Sequence, residues 1–136
     1  MALQLVWFKR DLRVKDHQPL QQALLRGPVL PLYVVEPELW QQQDASERQW
    51  LFCRESLLDL RLALAELGQP LLVRSGDVLE VFERAHRQFG LDGLWSHEET
   101  GNGWTYQRDQ RVALWCRQHG IAWKEIPQFG VIRRLR

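Results

Sequence analysis

The chain has few cysteines and no long apolar run. Its two cysteines, Cys53 and Cys116, lie within helical patterns, so they predict neither a disulfide framework nor a zinc site. We interpret both as small buried residues of a protein from a reducing compartment. No stretch approaches the ~20 apolar residues of a membrane span, and the amino terminus does not resemble a signal peptide. These absences predict a cytoplasmic protein without a membrane partner.

An excess of either charge is also lacking. The 18 lysines and arginines nearly balance the 17 aspartates and glutamates. The composition therefore gives no electrostatic indication of nucleic-acid binding. No P-loop, three-glycine dinucleotide motif or evident nucleophile–base arrangement occurs. We therefore predict one domain over residues 1–136, whose own chemistry indicates no catalytic residue.

Short apolar segments alternate with segments of helical period. Their nearly continuous apolar character is typical of strands buried on both faces of a parallel sheet. The sequence predicts an α/β fold, a doubly wound three-layer sandwich with a five-stranded parallel sheet in the order 3-2-1-4-5. The predicted strands are residues 3–8, 29–35, 70–74, 93–96 and 121–125.

Four helices are expected between these strands. Asp16 or His17 is predicted to cap the first helix, and Asp77 the third. The fourth runs from about Trp104 to His119, and its first half is polar on every side. The second has the clearest apolar stripe: Trp50, Cys53, Leu57, Leu60, Leu64 and Leu67. In the fourth, only a later group is predicted to be buried: Val112, Ala113, Trp115 and Cys116.

Ligands of such sheets bind beyond the carboxyl ends of the strands, where the strand order reverses. The loops expected to meet there are residues 9–15 and 97–103, which are rich in polar residues. Arg10, Asp11 and Arg13 are interpreted as an anion clamp, as an ion-pair network that holds the loop, or as a face made for another domain. This position and chemistry predict the ligand site.

The second loop contains further candidates. Glu98 and Glu99 are adjacent and should point in opposite directions. One is expected in solvent and the other beside a loop arginine, although an acid/base pair is the alternative. His97 has no histidine or cysteine at a suitable spacing, so no metal site is predicted. Seven tryptophans are present, and most are expected to pack in the core.

Five segments in order resemble the photolyase/cryptochrome family. Residues 6–14, Val-Trp-Phe-Lys-Arg-Asp-Leu-Arg-Val, are similar to its opening Trp-Phe-Arg-Arg-Asp-Leu-Arg, and Asp16-His17 stands where Asp-Asn is usual. The family's Asp-Pro segment corresponds to Glu36-Pro37. The other similar segments are residues 48–57, 68–77 and 128–135. Since the chain stops within the last of these, we expect a fragment of a longer protein.

The resemblance implies a Rossmann-like amino-terminal domain that holds a light-harvesting antenna chromophore. It also implies a separate helical domain that carries FAD and binds damaged DNA, so that the full-length protein repairs DNA as a carbon-carbon lyase or senses blue light. That helical domain would be the partner of this chain. The alternative is a purely structural docking domain without an antenna.

The resemblance further implies which residues would hold the antenna. Folate-binding members tend to have Asn-Glu where this chain has Asn102-Gly103, so a flavin-like or deazaflavin chromophore is favoured over folate. It would lie near the first-strand loop and the start of the second helix, with Trp40 stacked on its ring and Arg48 at an anion or carbonyl. The expected cofactor-binding residues are Phe8, Lys9, Arg10, Asp11, Glu36, Trp40, Ser46, Arg48, His97, Glu98, Glu99 and Asn102.

Overall fold

A computed structural model describes residues 3–41, 47–99 and 103–127. In chain order the elements are β1 (Leu3–Phe8), α1 (Gln18–Arg26), β2 (Val29–Val35), α2 (Pro37–Trp40), α3 (Glu47–Glu66), β3 (Leu72–Ser75), α4 (Val78–Phe89), β4 (Leu91–His97), α5 (Gly103–His119) and β5 (Ala122–Ile126). No helix in these three ranges combines the length and apolar character that would let it cross a bilayer.

The strands form one parallel sheet in the order β3-β2-β1-β4-β5, as predicted. Strand β1 lies in the centre, and the order reverses between β1 and β4. Two carboxyl-terminal loops therefore separate at this point and leave room at the edge of the sheet.

Successive residues of β1 point to opposite faces of the sheet. Leu5 and Trp7 pack with Phe82 of α4 and Val112 of α5. On the other face, Val6 and Phe8 pack with α1 and α3, which contribute Leu20, Ala23, Leu57, Leu60 and Leu64 to this part of the core. The helices cover both faces, which gives the predicted three layers.

The start of α1 is held by a histidine. His17 Nδ1 accepts a hydrogen bond from the backbone N–H of Leu20, and Pro19 stands in the first turn. An acceptor at the N-cap pairs one of the N–H groups that a helix start leaves open. Of the two predicted caps, His17 is therefore the one used.

Several local predictions were wrong. Strand β4 begins two residues earlier than predicted, at Leu91, and α2 is not among the four predicted helices. Leu67, expected in the buried stripe of α3, is 54% exposed. Ala113 is only half-buried. The first half of α5 was expected to contribute no buried residue, but Thr105 and Arg108 are buried.

Candidate functional site

A cavity of about 430 Å³ opens at the carboxyl edge of the sheet. Its walls come from the ends of β1 and β2, the residues just beyond β4, and helices α2, α3 and α5. Ligand pockets of proteins commonly enclose about 300–1,000 Å³. The lining residues are Trp7, Phe8, Lys9, Arg10, Leu12, Tyr33, Val34, Glu36, Leu39, Trp40, Gln49, Phe52, Cys53, Ser56, Glu99 and Arg108.

Aromatic rings form much of the wall. Phe8 and Tyr33 are supplied by the buried ends of β1 and β2, and their positions are fixed by the sheet. Trp40 comes from α2, which begins at Pro37, a favoured first residue of a helix. Its ring meets Trp50 of α3 edge to face at 5.2 Å between centroids. One side of the cavity is thus rigid sheet, and the other is a short helix leaning on α3.

Arg108 is the charged centre of the site. Its side chain projects from α5 and is 2% exposed. Nη1 donates to Glu36 Oε1 at 2.9 Å, and Nη2 donates to Glu99 Oε1. Asp109 accepts from Nε at 3.0 Å. Three carboxylates thus share one guanidinium, an arrangement suited to the fork of donors that arginine presents.

Lys9 and Arg10 add positive charge from the loop after β1. The Lys9 ammonium donates to the carbonyl of His97 at 3.2 Å and lies 3.9 Å from Glu99 Oε1. Arg10 Nε approaches Glu99 Oε2 at 3.2 Å, although its side chain is 63% exposed. Glu99 therefore joins the loops after β1 and β4 at the mouth of the cavity. We call Lys9, Glu36, Glu99 and Arg108 the cavity network.

Burial changes the acid–base behaviour of this network. It raises the pKa of Glu36 to about 7, because the attraction of Arg108 does not fully offset the loss of water. Burial also lowers the pKa of Lys9 below its usual value. The pKa of Arg108 is raised, since the nearby carboxylates outweigh its burial. Near neutral pH the cavity therefore holds a fixed cation and a carboxyl group that can exchange a proton.

A second group of buried polar residues lies behind the same loop. Asp11 Oδ2 receives His17 Nε2 at 2.6 Å and His97 Nδ1 at 2.7 Å, and Oδ1 accepts the backbone N–H of Lys9 at 2.8 Å. The three side chains are almost fully buried. We call Asp11, His17 and His97 the histidine cluster, and it fastens the β1–α1 loop to the end of β4.

The histidine cluster contains donors that metals use. Its three donor atoms lie within 4.8 Å of one another, and two imidazoles with a carboxylate can bind zinc or iron. The backbone N–H of Leu20, however, occupies the Nδ1 lone pair of His17, which places the ring proton on Nε2. That nitrogen is then a donor to Asp11. The geometry fits a closed hydrogen-bonded cluster better than a metal centre.

The hydrogen bonds also determine the pKa shifts of the cluster. Burial opposes ionisation of Asp11, but the bonds from His17, His97 and the Lys9 backbone hold its pKa well below the usual range. Burial lowers the pKa of His17, although Asp11 acts in the opposite direction. An ionised Asp11 that accepts a hydrogen bond from a neutral His17 is the state these contacts favour.

The structure brings together part of the predicted site. Among the predicted residues, six line the cavity: Phe8, Lys9, Arg10, Glu36, Trp40 and Glu99. Asp11 and His97 belong to the histidine cluster instead. Ser46 and Asn102 lie outside the described residues, as does the side chain of Arg48.

Two hypotheses about the loops can be compared with the geometry. Glu98 is exposed whereas Glu99 is paired with arginines, which matches the expected opposite directions. Arg10, Asp11 and Arg13 do not converge as an anion clamp. Arg13 instead donates to the carbonyls of Lys15 and Asp16 within its own loop. No histidine lies at a suitable sequence spacing from His97, but the fold brings His17 to 4.5 Å from it between ring centroids.

Arg108 is the main residue that sequence reasoning missed. Thr105, Arg108, Val112 and Trp115 follow one another at steps of three, four and three, which is a helical stripe. The sequence predicts an exposed side chain at this position, because arginine is almost never fully buried without a partner. The partners, Glu36 and Glu99, are 72 and 9 residues distant in sequence.

Comparisons with known proteins agree on one family. A family model described as DNA photolyase matches residues 4–130. The chain is 34% identical over 117 residues to a cryptochrome DASH of Gloeobacter violaceus, a match covering 81% of this chain and 23% of the relative. It is 45% identical over 74 residues to a deoxyribodipyrimidine photo-lyase of Salmonella typhimurium, covering 53% and 16%.

Solved structures show the same fold. A class III photolyase of Agrobacterium tumefaciens superposes with a TM-score of 0.82 at 24% identity, covering 93% of this chain and 26% of that protein. An archaeal photolyase of Sulfolobus tokodaii, described with two FAD molecules, gives 0.80 at 27% identity and covers 93% and 29%. The chain thus spans less than a third of the length of these relatives.

Proposed function

Since the chain belongs to the DNA photolyase family, we propose that its cavity binds a light-absorbing antenna chromophore. The observation that carries the proposal is the combination of aromatic walls and a buried charged network around about 430 Å³ of space. Flat heteroaromatic ligands need stacking surfaces for the ring and fixed polar groups at its edge. Both are present at the carboxyl edge, where α/β sheets bind ligands.

A flavin-like or deazaflavin ring fits the chemistry of the lining residues. Such rings present carbonyl oxygens and a ring N–H along one edge. Arg108 and Lys9 donate to carbonyl oxygens, and Glu36 accepts from an N–H when ionised or donates when protonated. The archaeal neighbour, whose description names a second FAD and a novel light-harvesting cofactor, supports this choice over folate.

In the proposed role, absorbed light serves chemistry outside this chain. We propose that the partner is a helical domain that holds the catalytic FAD and contacts damaged DNA, and that this chain is the antenna domain of such a protein. The near balance of charge, with a net charge of +1, is consistent with DNA being bound elsewhere.

Chromophore titration tests the proposal. The chain is mixed in turn with FMN, a deazaflavin, a lumazine and a reduced folate, and fluorescence polarisation is recorded. We expect FMN or the deazaflavin to bind and folate to bind at least tenfold more weakly. If folate is preferred, the flavin-like assignment is wrong.

Two neighbouring glutamates give a matched pair of variants. Glu99→Gln alters a residue that lines the cavity and contacts Arg108, whereas Glu98→Gln alters the exposed residue beside it. The Glu99→Gln variant should weaken binding at least tenfold, since the loss of a hydrogen bond to a charged group is worth about 1.5–3 kcal/mol. Equal effects in both variants would place the ligand elsewhere.

A cavity-filling variant tests the location directly. Ser56 lines the cavity from α3, and Ser56→Trp should occupy the space and abolish binding. If no chromophore binds the unmodified chain, the antenna proposal is wrong. The alternative of a structural docking domain without an antenna is then favoured.

A further inference from the structure

Helix α3 has a second apolar face that nothing in the described chain covers. Leu51, Leu58 and Leu62 are 48%, 57% and 68% exposed. They lie on the side of the helix away from Leu57, Leu60 and Leu64, which are packed against the sheet. A helix that is apolar on two sides is normally buried on both. The outward face of α3 therefore has the character of an interface.

The spacing of this face is that of a coiled coil. Residues 51, 55, 58, 62 and 65 follow one another at steps of four, three, four and three, and all are exposed. This is the alternation of d and a positions in a heptad. Leucine occupies three of these positions, and Ala65 a fourth. Residues at this spacing form a continuous seam for a second helix.

The charges beside the seam indicate its partner. Within this stretch Arg54 and Arg61 occupy the g positions of the heptad. Asp59 and Glu66 occupy two of the three e positions, and the third is the uncharged Phe52. In a parallel pair, each g residue faces the e residue five positions further along the other helix. Arg54 then faces Asp59, and Arg61 faces Glu66. In an antiparallel pair arginine would face arginine, and acid would face acid.

From this complementarity we propose that α3 pairs in parallel with α3 of a second copy of the chain, about a twofold axis along the helices. A twofold interface uses the same surface in both copies, and the charge pattern of α3 matches itself only in this orientation. Glu55 interrupts the leucine seam at one a position, where a polar residue fixes register and lowers stability. With a seam of about 21 Å, association is weak and depends on concentration.

Sedimentation equilibrium from low micromolar to millimolar chain measures this association. The 16.2 kDa chain should approach twice its mass at the upper end. Leu58→Lys should weaken dimerisation at least tenfold. Leu25→Lys, at a leucine of α1 that is 86% exposed, is the matched control and should leave it unchanged. If the chain stays monomeric over the whole concentration range, the proposal is wrong. The outward face of α3 would then serve another partner. Equal loss in the two variants also overturns the proposal.

Charge reversal tests the orientation. Arg54→Glu with Arg61→Glu makes all four charged flanking positions acidic, and Asp59→Arg with Glu66→Arg makes them all basic. Each double variant should dimerise at least tenfold more weakly than the original chain, and an equimolar mixture should regain association. If the acidic variant associates as strongly as the original chain, parallel pairing is excluded. An antiparallel pair has like charges facing each other both before and after the reversal, so its association would not change. Failure of the mixture to associate excludes the seam itself.

Discussion

Two groups of buried polar residues lie on opposite sides of one loop, and they are satisfied in different ways. In the histidine cluster, Asp11 bonds His17 and His97, and the three residues close on each other. In the cavity network, Arg108 bonds Glu36 and Glu99, and the same side chains line about 430 Å³ of space. The loop residues Lys9 and Asp11, two positions apart, belong to different groups.

The difference separates a fold-stabilising role from a ligand-binding one. A buried polar group costs free energy unless it is paired. The histidine cluster meets this requirement internally, so it stabilises the loop without offering a surface. The residues of the cavity network are also paired with one another, but they keep lone pairs and protons that can face a ligand. Burial and unusual pKa values alone would not distinguish the two groups, because both have them.

The largest expected effect on stability comes from a substitution in the histidine cluster. Asp11→Ala removes the acceptor of two imidazoles and of the Lys9 N–H. We expect a loss of about 4 kcal/mol in the free energy of unfolding, because three buried N–H groups lose their acceptor and each unsatisfied buried group costs about 1–3 kcal/mol. Urea unfolding measures it. Asp16→Asn, at an exposed residue of the same loop with a φ of 53°, should change stability little, since asparagine accepts this conformation. Similar losses in both variants would contradict a special role for Asp11.

Removal of the central cation is expected to have the next largest effect. Arg108→Met leaves Glu36 and Glu99 without their main partner and should cost about 3 kcal/mol. Adding Glu36→Gln to this variant should recover part of the loss, because one buried carboxylate then needs no counter-charge. Thermal and urea unfolding of the single and double variants give the coupling. Strict additivity of the two changes would show that the network is not a unit.

The pH dependence of the free energy of unfolding also distinguishes the cavity network from the histidine cluster. Burial raises the pKa of Glu36 to about 7 in the fold, whereas the unfolded value is about 4.3. Between these two pKa values the folded state binds more protons at Glu36 than the unfolded state does. The contribution of Glu36 to the free energy of unfolding therefore falls as pH rises from about 4 to 7. His17 acts in the opposite sense, since its lowered pKa makes stability rise towards pH 6.5.

Glu36→Gln isolates the first of these contributions. The difference in unfolding free energy between this variant and the original chain should shift in favour of the variant by about 3 kcal/mol between pH 4 and pH 8. Urea unfolding at a series of pH values measures the difference, from which the His17 contribution cancels. A difference independent of pH would mean that Glu36 titrates normally.

The smallest effect concerns the cap of α1. His17→Ala removes both the bond to Leu20 N–H and that to Asp11, and should cost about 2 kcal/mol. Asparagine is a favoured N-cap residue, so His17→Asn should cost only about 1 kcal/mol. Unfolding measurements on both variants compare them. If asparagine is as harmful as alanine, the imidazole contributes more than capping.

Much of the fold could be predicted because its signals are local. Alternating apolar strands and helical stripes gave the five-stranded parallel sheet and its order. The ends of elements were less accurate. Strand β4 extends through Leu91 and Asp92, since Leu91 is buried even though Asp92 is exposed. Helix α2 spans only four residues, too few to give a helical period.

The site was less predictable because its contacts are long-range. The loops after β1 and β4 were identified from their polarity and position, and they do meet through Lys9 and Glu99. Arg108 could not be placed, since its burial depends on Glu36, 72 residues away. For the same reason the pairing of His17 with His97 through Asp11 was not foreseen. Whether the predicted residues hold a chromophore remains the proposal that titration tests.

Trp7 forms one wall of the cavity, and this residue cannot be substituted without a loss of stability. Its ring is 1% exposed, lies 4.3 Å from the Lys9 ammonium, and meets Phe82 edge to face at 5.2 Å. Any substitution of Trp7 to suit a new ligand would leave a void in the core behind it. Phe52, on the opposite wall, is 74% exposed and can be replaced without such a loss. Adaptation to a different chromophore should therefore proceed through α3, while the sheet side is inherited unchanged.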